Sequence, residues 1–162
     1  MSNTTMLVRI LVAAALGGIV GIERQLKDQP AGFRTHILVS LGACLFTVVG
    51  AFGFQSYTGG TDTQRIQADL TRVASQVVVG IGFIGGGTIL RHGANVRGLT
   101  TAASLWVTAA VGVAVGIGFY FAATTVSVTS VFALAALKPI ERKFLDRKVR
   151  QEDEPPETLP PD

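Results

Sequence analysis

Apolar residues fall along this chain in unbroken runs rather than in alternation with polar ones. No Lys, Arg, Asp or Glu occurs in residues 35–61, 73–90 or 99–137, stretches of 27, 18 and 39 residues. A further apolar run covers residues 6–22 and carries Arg9 near one end, where its aliphatic stem can reach a surface. A bilayer core about 30 Å thick takes about 20 helical residues to cross, so runs of this length predict membrane spans. The longest run is too long for one crossing, because 39 helical residues extend roughly 58 Å. It divides if the chain turns near Gly112, Gly116 and Gly118. Five spans result, at about 6–22, 34–54, 72–90, 99–115 and 118–137. Backbone polar groups in lipid must be satisfied within the protein, and continuous runs do not suit a β-barrel. The predicted fold class is all-α, a polytopic membrane helical bundle.

Composition agrees: 48% of residues are hydrophobic and 15% charged, against about 25% charge in an ordinary soluble domain. The sequence pI of about 9.4 does not point to nucleic acid, because the basic residues sit in short segments beside apolar runs. Three of them (Arg24, Lys27, Arg34) lie between the first two spans, two (Arg91, Arg97) between the third and fourth, and six in residues 138–150. Only Arg9, Arg65 and Arg72 lie on the other side. By the positive-inside rule the N-terminus is outside and the C-terminus cytoplasmic, with Arg9 the one charge arguing against. The first apolar run resembles a signal peptide but continues to Glu23 and Arg24, so an uncleaved first helix is expected. Residues 138–150 read either as a helix lying on an anionic leaflet or as a plain stop-transfer flank. Residues 151–162 hold four prolines and five acids and are expected to be disordered. The single cysteine, Cys44, excludes a disulfide framework.

Chemistry-bearing residues are few. Gly17 and Gly21, Gly82 and Gly86, and Gly112 and Gly116 are GxxxG pairs, which let helices approach closely in lipid; the first and last read foremost as close helix packing, and the set also predicts a homo-oligomer, a dimer first of all. The run Gly80, Gly82, Gly85, Gly86 and Gly87 is costly for helix and suggests either close packing or a functional break in the third span. Thr100 or Thr101 is expected to cap the fourth span beside Arg97, with Ser104 one turn on; the same groups could hold an anion at a helix N-terminus. Glu23, Arg24, Arg34 and Arg97 are expected to form one charged cluster at the cytoplasmic end, since a carboxylate at the membrane boundary needs a partner. His36 is either a packed interfacial residue or a ligand, and no His or Cys at metal-ligand spacing accompanies it. On the outer side Asp69, Arg72 and Gln76 share a helix face, as an ion pair or as a site attracting a hydrated divalent cation. No P-loop, triad or paired carboxylate is present, so the chain reads as a non-enzyme without a cofactor.

Gly21-Ile22-Glu23-Arg24, Pro30-Ala31-Gly32-Phe33-Arg34-Thr35-His36, Arg72 through Gln76 with Gly80-Ile81-Gly82-Phe83-Ile84-Gly85, and Val96-Arg97-Gly98-Leu99-Thr100-Thr101-Ala102-Ala103-Ser104-Leu105-Trp106 stand in this order. Over about residues 7–118 the chain resembles the MgtC/SapB family of bacterial inner-membrane proteins. That resemblance implies a domain of about five spans, a link to growth in low magnesium and to survival inside host phagocytes, and in some members an inhibitory contact with the F-type ATP synthase. It also implies functional weight at Glu23, Arg24, Arg34, His36, Asp69, Arg72, Gln76, Arg97, Thr100 and Thr101. Many members carry a soluble C-terminal domain, whereas this sequence stops 25 residues after its last predicted span. Two function classes follow: a non-enzymatic regulator that docks on another membrane complex, or an oligomeric transporter or channel for Mg²⁺ or another small ion.

Overall fold

The computed structural model describes the backbone over residues 1–53 and 63–152, and side chains over 1–53, 72–91 and 93–136. Five helices make an all-α bundle: α1 (Asn3–Leu26), α2 (Phe33–Val48), α3 (Thr63–Gly87), α4 (Leu99–Ile117) and α5 (Tyr120–Glu152). A π-helical turn, Val49–Gly53, extends α2. Among the described residues three helices are long and apolar enough to cross a membrane, Asn3–Leu26, Phe33–Gly53 and Leu99–Ile117, and α3 and α5 contribute the apolar stretches Arg72–Gly87 and Tyr120–Ala136.

Local chemistry sets the helix ends. At the start of α1 the Ser2 hydroxyl accepts a hydrogen bond from the Thr5 backbone N–H, the usual N-cap arrangement. Gly118, at φ +92°, ends α4 in the left-handed conformation that glycine adopts without strain. The chain therefore turns at Gly118 alone, and Gly112 and Gly116 stay helical.

The structure bears on two readings that the sequence left open and adds one element that it did not suggest. The glycine run does not break α3, which is helical through Gly80, Gly82, Gly85, Gly86 and Gly87. In lipid an unwound segment would strand N–H and C=O groups, a larger cost than glycine's weak helix propensity. Residues 138–150 form no separate helix, since α5 continues to Glu152. Between α3 and α4 lies a two-stranded antiparallel hairpin, β1 (Leu90–His92) and β2 (Asn95–Arg97), turning at Gly93 (φ +61°). The expected disorder of 151–162 falls, from residue 153 on, outside the described residues.

α2 is the central helix. On one side Gly17 and Gly21 of α1 press against it: a Cβ on Gly17 would stand 2.7 Å from the Ser40 Cβ, and one on Gly21 would stand 2.8 Å from the Phe33 Cα. On the other side Gly112 and Gly116 of α4 do the same, with a Cβ on Gly116 falling 2.7 Å from the Thr47 Cβ. Both GxxxG pairs are thus used inside the protomer, which corrects their assignment to an oligomer interface. Two apolar clusters fill the bundle. Ala13, Leu16, Cys44, Val48, Val111, Val115 and Ala123 join α1, α2, α4 and α5. Ala31, Ala43, Ile81, Leu105 and Ala109 seat α3 on α2 and α4.

Candidate functional site: a buried polar seam

Because α1, α2 and α4 approach so closely, the polar residues on their facing sides are enclosed. Glu23, Arg24, His36, Ser40, Thr47, Thr101, Ser104 and Thr108 are all buried. His36, Ser40 and Thr47 follow one another at i, i+4 and i+11 on α2; Thr101, Ser104 and Thr108 stand at i, i+3 and i+7 on α4. Each set therefore lies on one helix face.

His36, with no exposed surface, bridges the two sets. Its Nδ1 lies 2.9 Å from the Gly32 carbonyl oxygen and its Nε2 3.1 Å from the Ser104 Oγ. The Ser104 Oγ is in turn 2.8 Å from the Thr101 carbonyl, and the Thr108 hydroxyl donates to the Ser104 carbonyl at 2.8 Å. A carbonyl only accepts, so Nδ1 carries a proton. If the Ser104 hydroxyl donates to Thr101, Nε2 must donate to Ser104 and the ring is an imidazolium. In the neutral ring the Ser104 hydroxyl swings to donate to Nε2 instead. One hydroxyl rotation thus accommodates either state while α2 stays tied to α4.

At the same end of the bundle, Glu23 and Arg24 turn inward from α1 and face each other at 3.5 Å, Oε2 to Nη1. That contact is an ion pair at the outer limit of hydrogen bonding. The Glu23 Oε1, the Arg24 Nε and the Ser40 Oγ are enclosed without a hydrogen-bond partner among the described residues. Buried groups in that condition carry a desolvation penalty of about 1–3 kcal/mol, more when charged. The far end is tied differently: Arg9 Nη1 donates to the Gly116 carbonyl, and its guanidinium lies over the Phe52 ring, 5.0 Å from the centroid. A cation at the C-terminus of α4 is favoured by the helix dipole. This accounts for the one arginine that opposed the topology count.

The expected charged cluster shrinks accordingly. Glu23 is paired with Arg24, while Arg34 and Arg97 are exposed and do not join them. Arg24 is the next residue of α1 and is buried with Glu23, whereas Arg34 stands exposed at the start of α2 and the hairpin carries Arg97 outward. Capping by Thr100 or Thr101 is also corrected. The N-cap of α4 is Gly98, at φ +90°, with no side-chain cap; Thr101 is buried inside the helix and Thr100 is exposed. A Cβ on Gly98 would collide with the Thr88 carbonyl oxygen, so the hairpin leaves room there only for glycine. Asp69 lies outside the described side chains. Arg72 and Gln76 stand on a recess between α2 and α3, together with Gly80. Gly85 packs on Ala102 of α4, whereas Gly82, Gly86 and Gly87 face open space. Among the described residues no three of His, Cys, Asp and Glu come together as a metal site. Ser40, Thr47 and Thr108 were not singled out in the sequence, though their helical spacing from His36 and Ser104 was there to be seen.

Comparison with known proteins places this arrangement. A family model described as the MgtC family matches residues 10–143. Over 141 residues the chain is 38% identical to the "Putative magnesium transporter YhiD" of Escherichia coli K12, a match covering 87% of this chain and 64% of that protein. Over 128 residues it is 44% identical to "Protein MgtC" of Brucella abortus, covering 79% of this chain and 49% of that one. A Synechocystis protein, slr0014, is 41% identical over 134 residues, 83% of this chain and 53% of its own length. The chain thus spans between about half and two thirds of these relatives. No solved structure matches. With a family model matching residues 10–143 and relatives 38% and 44% identical over most of the chain, this membrane protein belongs to the MgtC family.

Proposed function

We propose that the chain is a non-enzymatic regulator in the bacterial inner membrane, acting under magnesium limitation by contact with another membrane complex. The observation that carries this reading is that the hydrogen bonds of the helix crossing are made within the protomer: His36 is satisfied by Gly32 and Ser104, and Thr108 and Thr47 by their own helices. An interior built this way holds three helices in register. The outward face of α3 supports a docking role, because Gly82 and Gly86 are open beside Val79 and Phe83, which are 66% and 87% exposed. The same face would carry a homodimer or the membrane part of an F-type ATP synthase, and the orientation is N-terminus outside, C-terminus cytoplasmic.

A second reading, transport of Mg²⁺ or another small ion by an oligomer, is favoured by the name of the Escherichia coli relative and by the unpartnered buried Glu23 Oε1. Liposomes holding the purified chain and an internal Mg²⁺ indicator separate the two. Flux equal to that of empty liposomes is expected. A Mg²⁺ influx that Glu23→Gln abolishes would establish the transporter instead.

A further inference from the structure

α3 does not close against α2 along its length. The two helices touch where Gly50 meets Val73, a Cβ on Gly50 falling 2.9 Å from the Val73 Cβ, and both rest on α4 through Gly112 and Gly85. Between them opens a recess of about 710 Å³. Its walls include Leu38, Phe46, Val77 and Ile84, with Ala43 and Ala109 also lining it. Among the described residues polar side chains stand only toward its ends, Arg72 and Gln76 at the end where Val73 meets Gly50, and Thr35 at the other.

Two lengths decide what fits. From Arg72 to Ile84 the lining runs twelve residues of helix, roughly 18 Å, which is close to one leaflet of a hydrocarbon core about 30 Å thick. A spanning helix of a partner would need nearly twice that, and the Gly50–Val73 contact blocks its continuation. The apolar part of α3 begins at Arg72, so the charge sits where the bilayer boundary meets this helix. An arginine has five donors in a fork that suits phosphate, and a contact made elsewhere does not exhaust them. Gln76, one turn on, adds an amide.

We propose that the α2–α3 recess is a phospholipid-binding groove, in which one acyl chain lies along Leu38, Phe46, Val77 and Ile84 while the phosphate is held by Arg72 and Gln76. The groove is distinct from the outward Gly82–Gly86 face, so a lipid here does not compete with a docked partner. It fills the space beside α3 and adds to the packing of that helix on α2 that Ala43 and Ile81 provide at the floor of the groove.

Gly42 and Gly80 line the groove, and a Cβ at either meets nothing within 4 Å. Leucines there would occupy the acyl-chain volume without striking backbone. The full chain, extracted in mild detergent with a mixture of phospholipid and diacylglycerol, is read by native mass spectrometry. The unsubstituted protein should retain one phospholipid per chain. Gly42→Leu with Gly80→Leu should lower that retention by about tenfold, and Arg72→Gln should erase the preference for phospholipid over diacylglycerol. A benzophenone amino acid in place of Leu38 should capture lipid in native membranes, which requires no loss-of-function variant. No retained phospholipid, equal retention by the filled groove, an unchanged preference in Arg72→Gln, or capture of polypeptide at position 38 would each overturn the proposal. Tryptophan fluorescence from Trp106 reports whether each variant is folded. A flux result in liposomes leaves this groove untouched, so the two readings stand or fall separately.

Discussion

Glu23 and Arg24 are neighbours in the chain, yet both turn inward, with relative exposures of 8% and 5%. Removing one partner of a buried pair strands the other, typically at about 3–5 kcal/mol. Glu23→Gln and Arg24→Gln should each lower the melting temperature strongly, and the double variant should be no worse than the more damaging single one, which a double-mutant cycle would measure. Arg34→Gln, at an exposed site, should change it little; a large coupling between Glu23 and Arg34 would contradict the geometry. At the helix crossing, Ser104→Ala removes the oxygen facing His36 Nε2 and leaves a fully enclosed ring nitrogen without a partner. A loss of about 1–3 kcal/mol is expected. Ser104→Thr, which keeps the hydroxyl, should recover part of it. The sequence narrowed the partner of Glu23 to Arg24, Arg34 or Arg97, of which packing selects Arg24, and it marked no partner for His36.

Three GxxxG pairs look alike in the sequence and differ once the helices are packed. A Cβ on Gly112 would stand 2.9 Å from the Ala43 Cβ and collide with the Ser40 carbonyl oxygen, whereas one on Gly82 or Gly86 meets nothing within 4 Å. Gly112→Ala should therefore destabilise the bundle, and Gly86→Ala should be neutral or slightly stabilising, since alanine favours helix over glycine. Thermal unfolding in detergent compares them directly. Gly82→Leu with Gly86→Leu is expected to lower the dimer fraction in native lipid while leaving the melting temperature near its original value. A dimer unaffected by this pair would move the interface elsewhere. At the other helix ends, Arg9→Gln removes the cation held against the Gly116 carbonyl and the Phe52 ring. The expected cost is about 0.5–2 kcal/mol, the range for helix-terminus and cation–π contacts. The hairpin between α3 and α4 escaped notice because its strands are only three residues each, too short for alternation to register.

For the whole molecule the sidedness is testable. Arg9 meets the end of α4, and Glu23 lies at the end where α2 starts, so neighbouring helices run in opposite directions. Reporter fusions at Asp162 and in the Gly59–Gly60 segment should report the cytoplasm and the outside respectively; both on one side would refute the five-span order. The all-α class and the family were readable from residues alone, because lipid punishes any charge or unpaired backbone group and so marks apolar helices directly in composition. Burial partners are another matter. Lipid tails are as apolar as a protein core, so hydropathy cannot tell the side of a span that faces a neighbour from the side that faces the bilayer. Only the tertiary packing showed that Gly17, Gly21, Gly112 and Gly116 are spent on α2, that Arg24 and not Arg34 answers Glu23, and that α3 leaves an apolar groove beside Arg72. Those are distances between helices far apart in the chain, set by the shapes of facing side chains, and no local pattern carries them.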